Sequence, residues 1–184
     1  MEQVIVVGLD DSEQSYYALE ETIGYYQKQE KSENRMINKE RQKWENGSEL
    51  FPEYKFKIVV VHAKHRPNGQ EDLQDQVDIL EKRSEKIINR AKEICSSRSV
   101  ANVQMEVIEG EPGPVLCDAT MKHKAKKLVV GCRGLGSLSL SEDKKWVGLG
   151  SVSFYCVTNC KSSRPEVMRK VQINNSAYEL ASQM

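Results

Sequence analysis

No stretch of this 184-residue chain approaches the run of roughly 18 apolar residues that a membrane-spanning helix requires, so no membrane partner is expected. There is no excess of charge either. Lys plus Arg and Asp plus Glu both number 27, which leaves a formal net charge of zero. Long-range attraction to nucleic acid or anionic lipid is thereby excluded, and any anion site has to be local. The five cysteines (Cys95, Cys117, Cys132, Cys156 and Cys160) contain no C-x-x-C pair, and their number is odd. Cys156 and Cys160 stand four apart on a helical-looking segment, poorly placed for a disulfide. Reduced thiols in a cytoplasmic chain, with the nucleus as the alternative, are therefore expected. Met1-Glu2-Gln3 runs straight into a strand-like stretch, leaving no room for the charged and apolar regions of a secretory signal. His62-x-x-His65 has no Cys or acidic partner at ligand spacing, so a satisfied strand-end imidazole and a loop histidine are expected, and no metal.

What is present is an alternation of two periodicities. Val4 to Leu9 is a continuous apolar run closed by Asp10-Asp11-Ser12, and Asp11 or Ser12 is suited to cap the helix that follows. Tyr16, Leu19, Ile23 and Tyr26 fall on one helical stripe. From Lys28 to Tyr54 the pattern gives way to a charged excursion, read as partly helical and partly mobile, with a solvated surface favoured over a partner-binding segment. Phe56 to Ala63 is a second strand. Leu73, Val77, Leu80, Ile87, Ile88, Ala91, Ile94 and Cys95 recur at three- and four-residue steps and predict a long amphipathic helix. A third strand over Val103 to Ile108, a turn at Gly110 to Pro114, a short helix holding Val115, Leu116 and Ala119, and a fourth strand at Leu128 to Val130 complete the pattern. Connections too long for hairpins predict an α/β fold with a parallel, doubly wound sheet. Ligands of such sheets sit beyond the carboxyl ends of the strands, where strand order reverses. Asp10, Ala63 and the turn at Gly131 all lie at such ends.

The fourth strand is followed by Gly131, Gly134 and Gly136, and then by Gly150-Ser151, which opens a helical segment from Val152 to Asn159. Glycines let the backbone approach an anion and turn its N–H groups toward it, and a serine at a helix N-cap adds a hydroxyl at the positive end of the dipole. Strand, glycine turn and helix start describe a phosphate cradle. The same residues also suit a glycine-rich surface loop. The spacing reverses G-x-G-x-x-G and lacks G-K-[ST], so neither the dinucleotide fingerprint nor a P-loop is present.

Taken together, V-I-V-V-G-L-D-D-S, V-V-V-H-A, V-I-E-G-E-P-G-P-V-L-C-D-A, L-V-V-G-C-R-G-L-G and G-S-V-S resemble the universal stress protein family, plant members in particular, over most of residues 3 to 160. The resemblance implies an open sandwich around a five-stranded parallel sheet, here spanning 1–172 with a polar tail at 173–184. It also implies binding of ATP or AMP, with or without Mg2+, through G-x-x-G, nine residues and G-[S/T]. By position, Gly131 and Gly134 match the first pair, with Arg133 and Gly136 beside them, and Gly150, Ser151 and Val152 match the close. Asp10 corresponds to the acidic residue that meets the nucleoside, and Ala63 to the backbone that meets adenine. Two departures stand out. Fifteen residues separate Gly134 from Gly150, and the extra Ser139 to Lys144 brings Glu142 and Asp143 alongside Lys144 and Lys145. At the last strand, Glu166, Arg169 and Lys170 interrupt the apolar run, so that strand is expected to be weakened or displaced and any homodimer through it weak. No nucleophile–base pair or carboxylate dyad is legible, so the expected role is a non-enzymatic nucleotide-binding stress regulator acting on a protein partner the sequence does not name. The alternatives are a scaffold protein that has lost the nucleotide and a slow phosphohydrolase.

Overall fold

A computed structural model describes residues 2–43, 55–67, 73–132, 149–161 and 164–169. Nine elements alternate along them: β1 (Glu2–Leu9), α1 (Glu13–Lys43), β2 (Lys55–Lys64), α2 (Leu73–Ser97), β3 (Val103–Glu109), α3 (Pro112–Lys122), β4 (Lys127–Gly131), α4 (Ser151–Asn159) and β5 (Arg164–Met168). All five strands pair in parallel, in the order β3-β2-β1-β4-β5. The chain steps outward from β1 through β2 to β3, then crosses back to lay β4 on the other side of β1. The reversal falls between β1 and β4, the place where a doubly wound sheet leaves a crevice.

Apolar runs buried on both faces make these strands central. Ile5, Val7 and Leu9 enter one core with α1 and α2, through Tyr16, Leu19, Ile23, Ile87 and Ala91. Val6, Val59, Val61, Leu128 and Val130 enter the other, with Val115, Leu116 and Ala119 of α3 and Cys156 of α4. The α1 stripe read from the sequence is thus a buried face, and Ile87, Ala91 and Cys95 are the buried members of the α2 stripe. The charged excursion is helical through Lys43, because α1 continues past Lys28 with Gln, Lys, Glu and Arg, all good helix formers, and residues 28–40 are exposed or half-exposed. The rest of the excursion, 44–54, and the polar tail lie outside the described residues.

β5 is five residues long and is not displaced. It pairs with β4 from Lys127↔Arg164 to Gly131↔Met168. The charge at Glu166 is met by Lys127, whose ammonium donates to it at 2.8 Å and lies near the rings of Tyr25 and Tyr26. This pairing holds the Lys127 pKa above its ordinary value, the hydrogen bond to Glu166 outweighing burial.

The expectation of five reduced thiols is corrected. Cys117 and Cys160 form a disulfide across 43 residues of sequence, while Cys95, Cys132 and Cys156 are free and buried. Spacing along the chain gave no sign of this, because the pairing is made by α3 and α4 lying side by side. No helix among the described residues is long and apolar enough to cross a membrane.

Candidate functional site

The chain leaves β1 through a tight turn. Asp11 takes a left-handed φ of 68°, which Asp tolerates better than most residues. Of the two cap candidates, Ser12 is the one used. Its Oγ accepts the Ser15 N–H at 3.1 Å, while its own N–H and hydroxyl donate to Asp10 Oδ1 at 3.2 and 2.6 Å. Asp10 is thereby held at the rim of the crevice. Asp11 is turned the other way, accepting from Tyr16 at 2.9 Å and from Lys86 at 3.1 Å. Burial would raise its pKa, but these hydrogen bonds and the nearby cations hold it below the usual range.

Gly131 ends β4 where the sheet meets the first turn of α1. A Cβ there would lie 2.8 Å from the Gln14 carbonyl carbon and 2.9 Å from the Ser15 nitrogen. Close packing of two backbones therefore demands this glycine, independently of any ligand.

α4 begins beside the same point. Its N-cap is Gly150, in extended conformation and without a capping side chain, so Ser151 is the first helical residue and not the cap the sequence suggested. The Gly150 N–H donates to the Cys132 carbonyl at 2.8 Å, and the Ser153 hydroxyl donates to the Gly131 carbonyl at 2.7 Å. These bonds fix the helix start against the end of β4. The N–H groups of the first turn have no intrahelical partner, and no acidic side chain stands in that turn to neutralise the dipole.

Between these pieces lies a cleft of about 280 Å³. It collects Asp10, Ala63, Gly131, Gly150, Ser151 and Val152, six of the nine residues picked from the sequence, at one place. Arg133, Gly134 and Gly136 lie outside the described residues, as does the insertion 139–144. The sequence reading missed the α2 wall. Leu80, Arg83 and Ser84 face the cleft together, as i, i+3 and i+4 positions do, and Arg83 adds a cation there. Their signal was Leu80 in the apolar stripe, which pointed to core alone. His62 and His65 also line the cleft. His62 is buried and its Nδ1 is 2.9 Å from the Leu9 carbonyl, which only accepts, so Nδ1 carries the proton. Burial pushes its pKa down and keeps the ring neutral. Among the described residues the one grouping of metal-binding donors is Cys117, Cys156 and Cys160, partly consumed by the disulfide.

A parallel five-stranded α/β sandwich with a cleft at its strand reversal has a helix N-terminus on one wall and a carboxylate on another, at the strand ends where ligands of such sheets sit. Residues 47–163 match the family model described as "Universal stress protein family". The chain belongs to that family. Solved structures agree in fold. Universal stress protein UspA from Lactobacillus plantarum is 14% identical with a TM-score of 0.63, covering 91% of this chain and 97% of that one. A universal stress protein family protein from Arabidopsis thaliana, solved with AMP bound, is 17% identical with a TM-score of 0.54, over 92% and 93%. A universal stress protein solved in complex with cAMP is 17% identical with a TM-score of 0.54, over 90% and 96%. No curated protein sequence matches the chain.

Proposed function

We propose that the cleft binds an adenine nucleotide, ATP or AMP, and that the protein is a non-enzymatic stress-response regulator whose surface changes with the bound nucleotide. The observation that carries this reading is the meeting of Asp10, Ala63, Gly131 and the α4 start in one cleft, although they come from four separate stretches of sequence. The phosphates sit at the N–H groups of Ser151 and Val152, Asp10 accepts from the ribose hydroxyls, and the base lies against the backbone at Ala63. With ATP, Mg2+ would be held chiefly by the phosphate oxygens. The AMP and cAMP found in the two structures of similar fold support an adenine nucleotide. Binding without hydrolysis is supported by two of the four serines that line the cleft. Ser153 donates to the Gly131 carbonyl and Ser15 to the Ser12 carbonyl, so neither is poised as a nucleophile on a base. The reading places the protein in the cytoplasm or nucleus, where such nucleotides abound.

Equilibrium binding of labelled AMP and ATP, with a melting-temperature shift beside it, tests this. Ligand at 100 times its Kd adds about 2.7 kcal/mol of stability to the folded state. Gly134→Val abolishes the shift if the glycine stretch is the cradle. An unchanged melting temperature in millimolar AMP and ATP would overturn the nucleotide reading in favour of the scaffold.

A further inference from the structure

The sulfur atoms of Cys117, Cys156 and Cys160 lie within 4.8 Å of one another. Cys117 is the middle residue of α3 and Cys160 is the C-cap of α4, and the disulfide joins them with Cα atoms 5.1 Å apart. The first halves of the same two helices line the cleft, through Pro112 and Leu116 on α3 and Ser151 to Ser153 on α4. Between the disulfide and the cleft, the Tyr155 ring lies so close to Gly113 that a Cβ there would fall 2.5 Å from its Cδ1. This steric contact and the covalent bond thus join core packing through Cys156 in holding α4 on α3. With the bond removed, the α4 start keeps its two hydrogen bonds to Gly131 and Cys132 and Cys156 stays in the core, but the covalent link from the α4 C-cap to α3 is lost.

The geometry points to a reversible thiol–disulfide clamp on the cleft, in which oxidation of Cys117 and Cys160 locks α4 against α3 and fixes the α4 N-terminus for the phosphate of a nucleotide. The ligand in this statement rests on the reading above; the clamp itself does not. The oxidant is a small-molecule disulfide such as glutathione disulfide. One protein thiolate attacks it and displaces a glutathione thiolate. The second protein thiolate attacks the resulting mixed disulfide at the protein sulfur and releases the other glutathione. The protein gives up two electrons and two protons, and the glutathione disulfide becomes two thiols. Reduced glutathione reverses both steps. Cys117 and Cys160 each retain 8% exposure, whereas Cys156 has none. Burial pushes the Cys156 thiol up to about 11, so at neutral pH it stays protonated and does not displace its neighbours. Oxidation also removes two buried thiols without creating a buried charge, a stable outcome in an apolar core.

The test equilibrates the full chain in glutathione buffers of graded redox ratio. Alkylation and peptide mapping read the bond, amide hydrogen exchange reads residues 151–153 without nucleotide, and calorimetry reads AMP affinity. The expected result is a Cys117–Cys160 bond, slower exchange at the α4 start on oxidation, and AMP bound about 5-fold or more tighter by the oxidised form. Cys117→Ser/Cys160→Ser is expected to lose this redox dependence, and Cys156→Ser to keep it. Absence of the bond at every ratio overturns the clamp. So does a bond that leaves both exchange and affinity unchanged, or a redox dependence that survives in the double variant. Slower exchange with no AMP binding in either state keeps the clamp and refutes the nucleotide reading. The native-protein titration decides even where a variant fails to fold.

Discussion

Replacing Gly131 with alanine tests whether the cleft is built on backbone contact between β4 and α1. The added Cβ would lie 2.8 Å from the carbonyl carbon of Gln14, 2.9 Å from the nitrogen of Ser15 and 3.0 Å from the Gln14 Cβ. Two of these atoms are main chain in the first turn of a helix, so no rotamer change relieves the clash. Either β4 or α1 has to move. Overpacking of this kind costs about 1–3 kcal/mol, and the stiffer unfolded chain offsets about 0.4–1 kcal/mol of it. The net loss is about 1–2 kcal/mol, which for a chain of this size lowers Tm by roughly 2–8 °C. Gly8→Ala is the comparison. Its Cβ would meet the Leu116 methyls at 2.9 and 3.0 Å and a Val130 methyl at 3.2 Å, all ends of side chains. Those groups yield by small rotations, so Gly8→Ala is expected to lose less. Urea denaturation of the two variants beside the native protein gives the ranking directly. A Gly131→Ala protein as stable as the native one, or a Gly8→Ala protein that is the worse of the two, would refute the reasoning.

Two further outcomes are expected. His62 has a folded pKa below its unfolded value because burial disfavours the imidazolium, so the stability it contributes is complete above about pH 6.5 and is lost as pH falls through the folded pKa; thermal melts between pH 7.5 and 5.5 should therefore fall more steeply in the native protein than in His62→Asn, and equal slopes would show that other groups carry the pH dependence. Self-association through the β5 edge should be weak, with substantial monomer at low micromolar concentration, since an interface there would bury the Lys127–Glu166 pair and the charge of Arg169, at a cost of several kcal/mol for a charge left unpaired; sedimentation equilibrium should show Arg169→Val associating more tightly, and a tight native dimer would disprove it.

Where one local pattern decided the structure, the sequence was legible. Ile5, Val7 and Leu9 alternate with Val6 because the strand is buried on both faces, and the α2 stripe marks its own core side. Neither needs knowledge of what lies opposite. The residues misread depend on a neighbour from elsewhere in the chain. Cys117 and Cys160 meet only because α3 and α4 lie side by side. Arg83 lines the cleft only because β2 and α2 set that wall beyond Ala63. Gly131 was legible as a special position but for an incomplete reason, since the atoms that forbid a side chain there belong to α1, more than a hundred residues earlier. Glu166 seemed to spoil β5 because its partner, Lys127, is on the neighbouring strand.

Fifteen residues separate Gly134 from Gly150 where the resemblance implies nine. Lengthening a loop from nine residues to fifteen costs only about 0.5 kcal/mol in closure entropy. The open question was whether the extra length pulls the two ends apart. It does not, for the Gly150 N–H reaches the Cys132 carbonyl at 2.8 Å and the Ser153 hydroxyl reaches the Gly131 carbonyl at 2.7 Å. These bonds belong to the strand end and the helix start, so Cys132 and Gly150 stand side by side although seventeen residues lie between them in sequence.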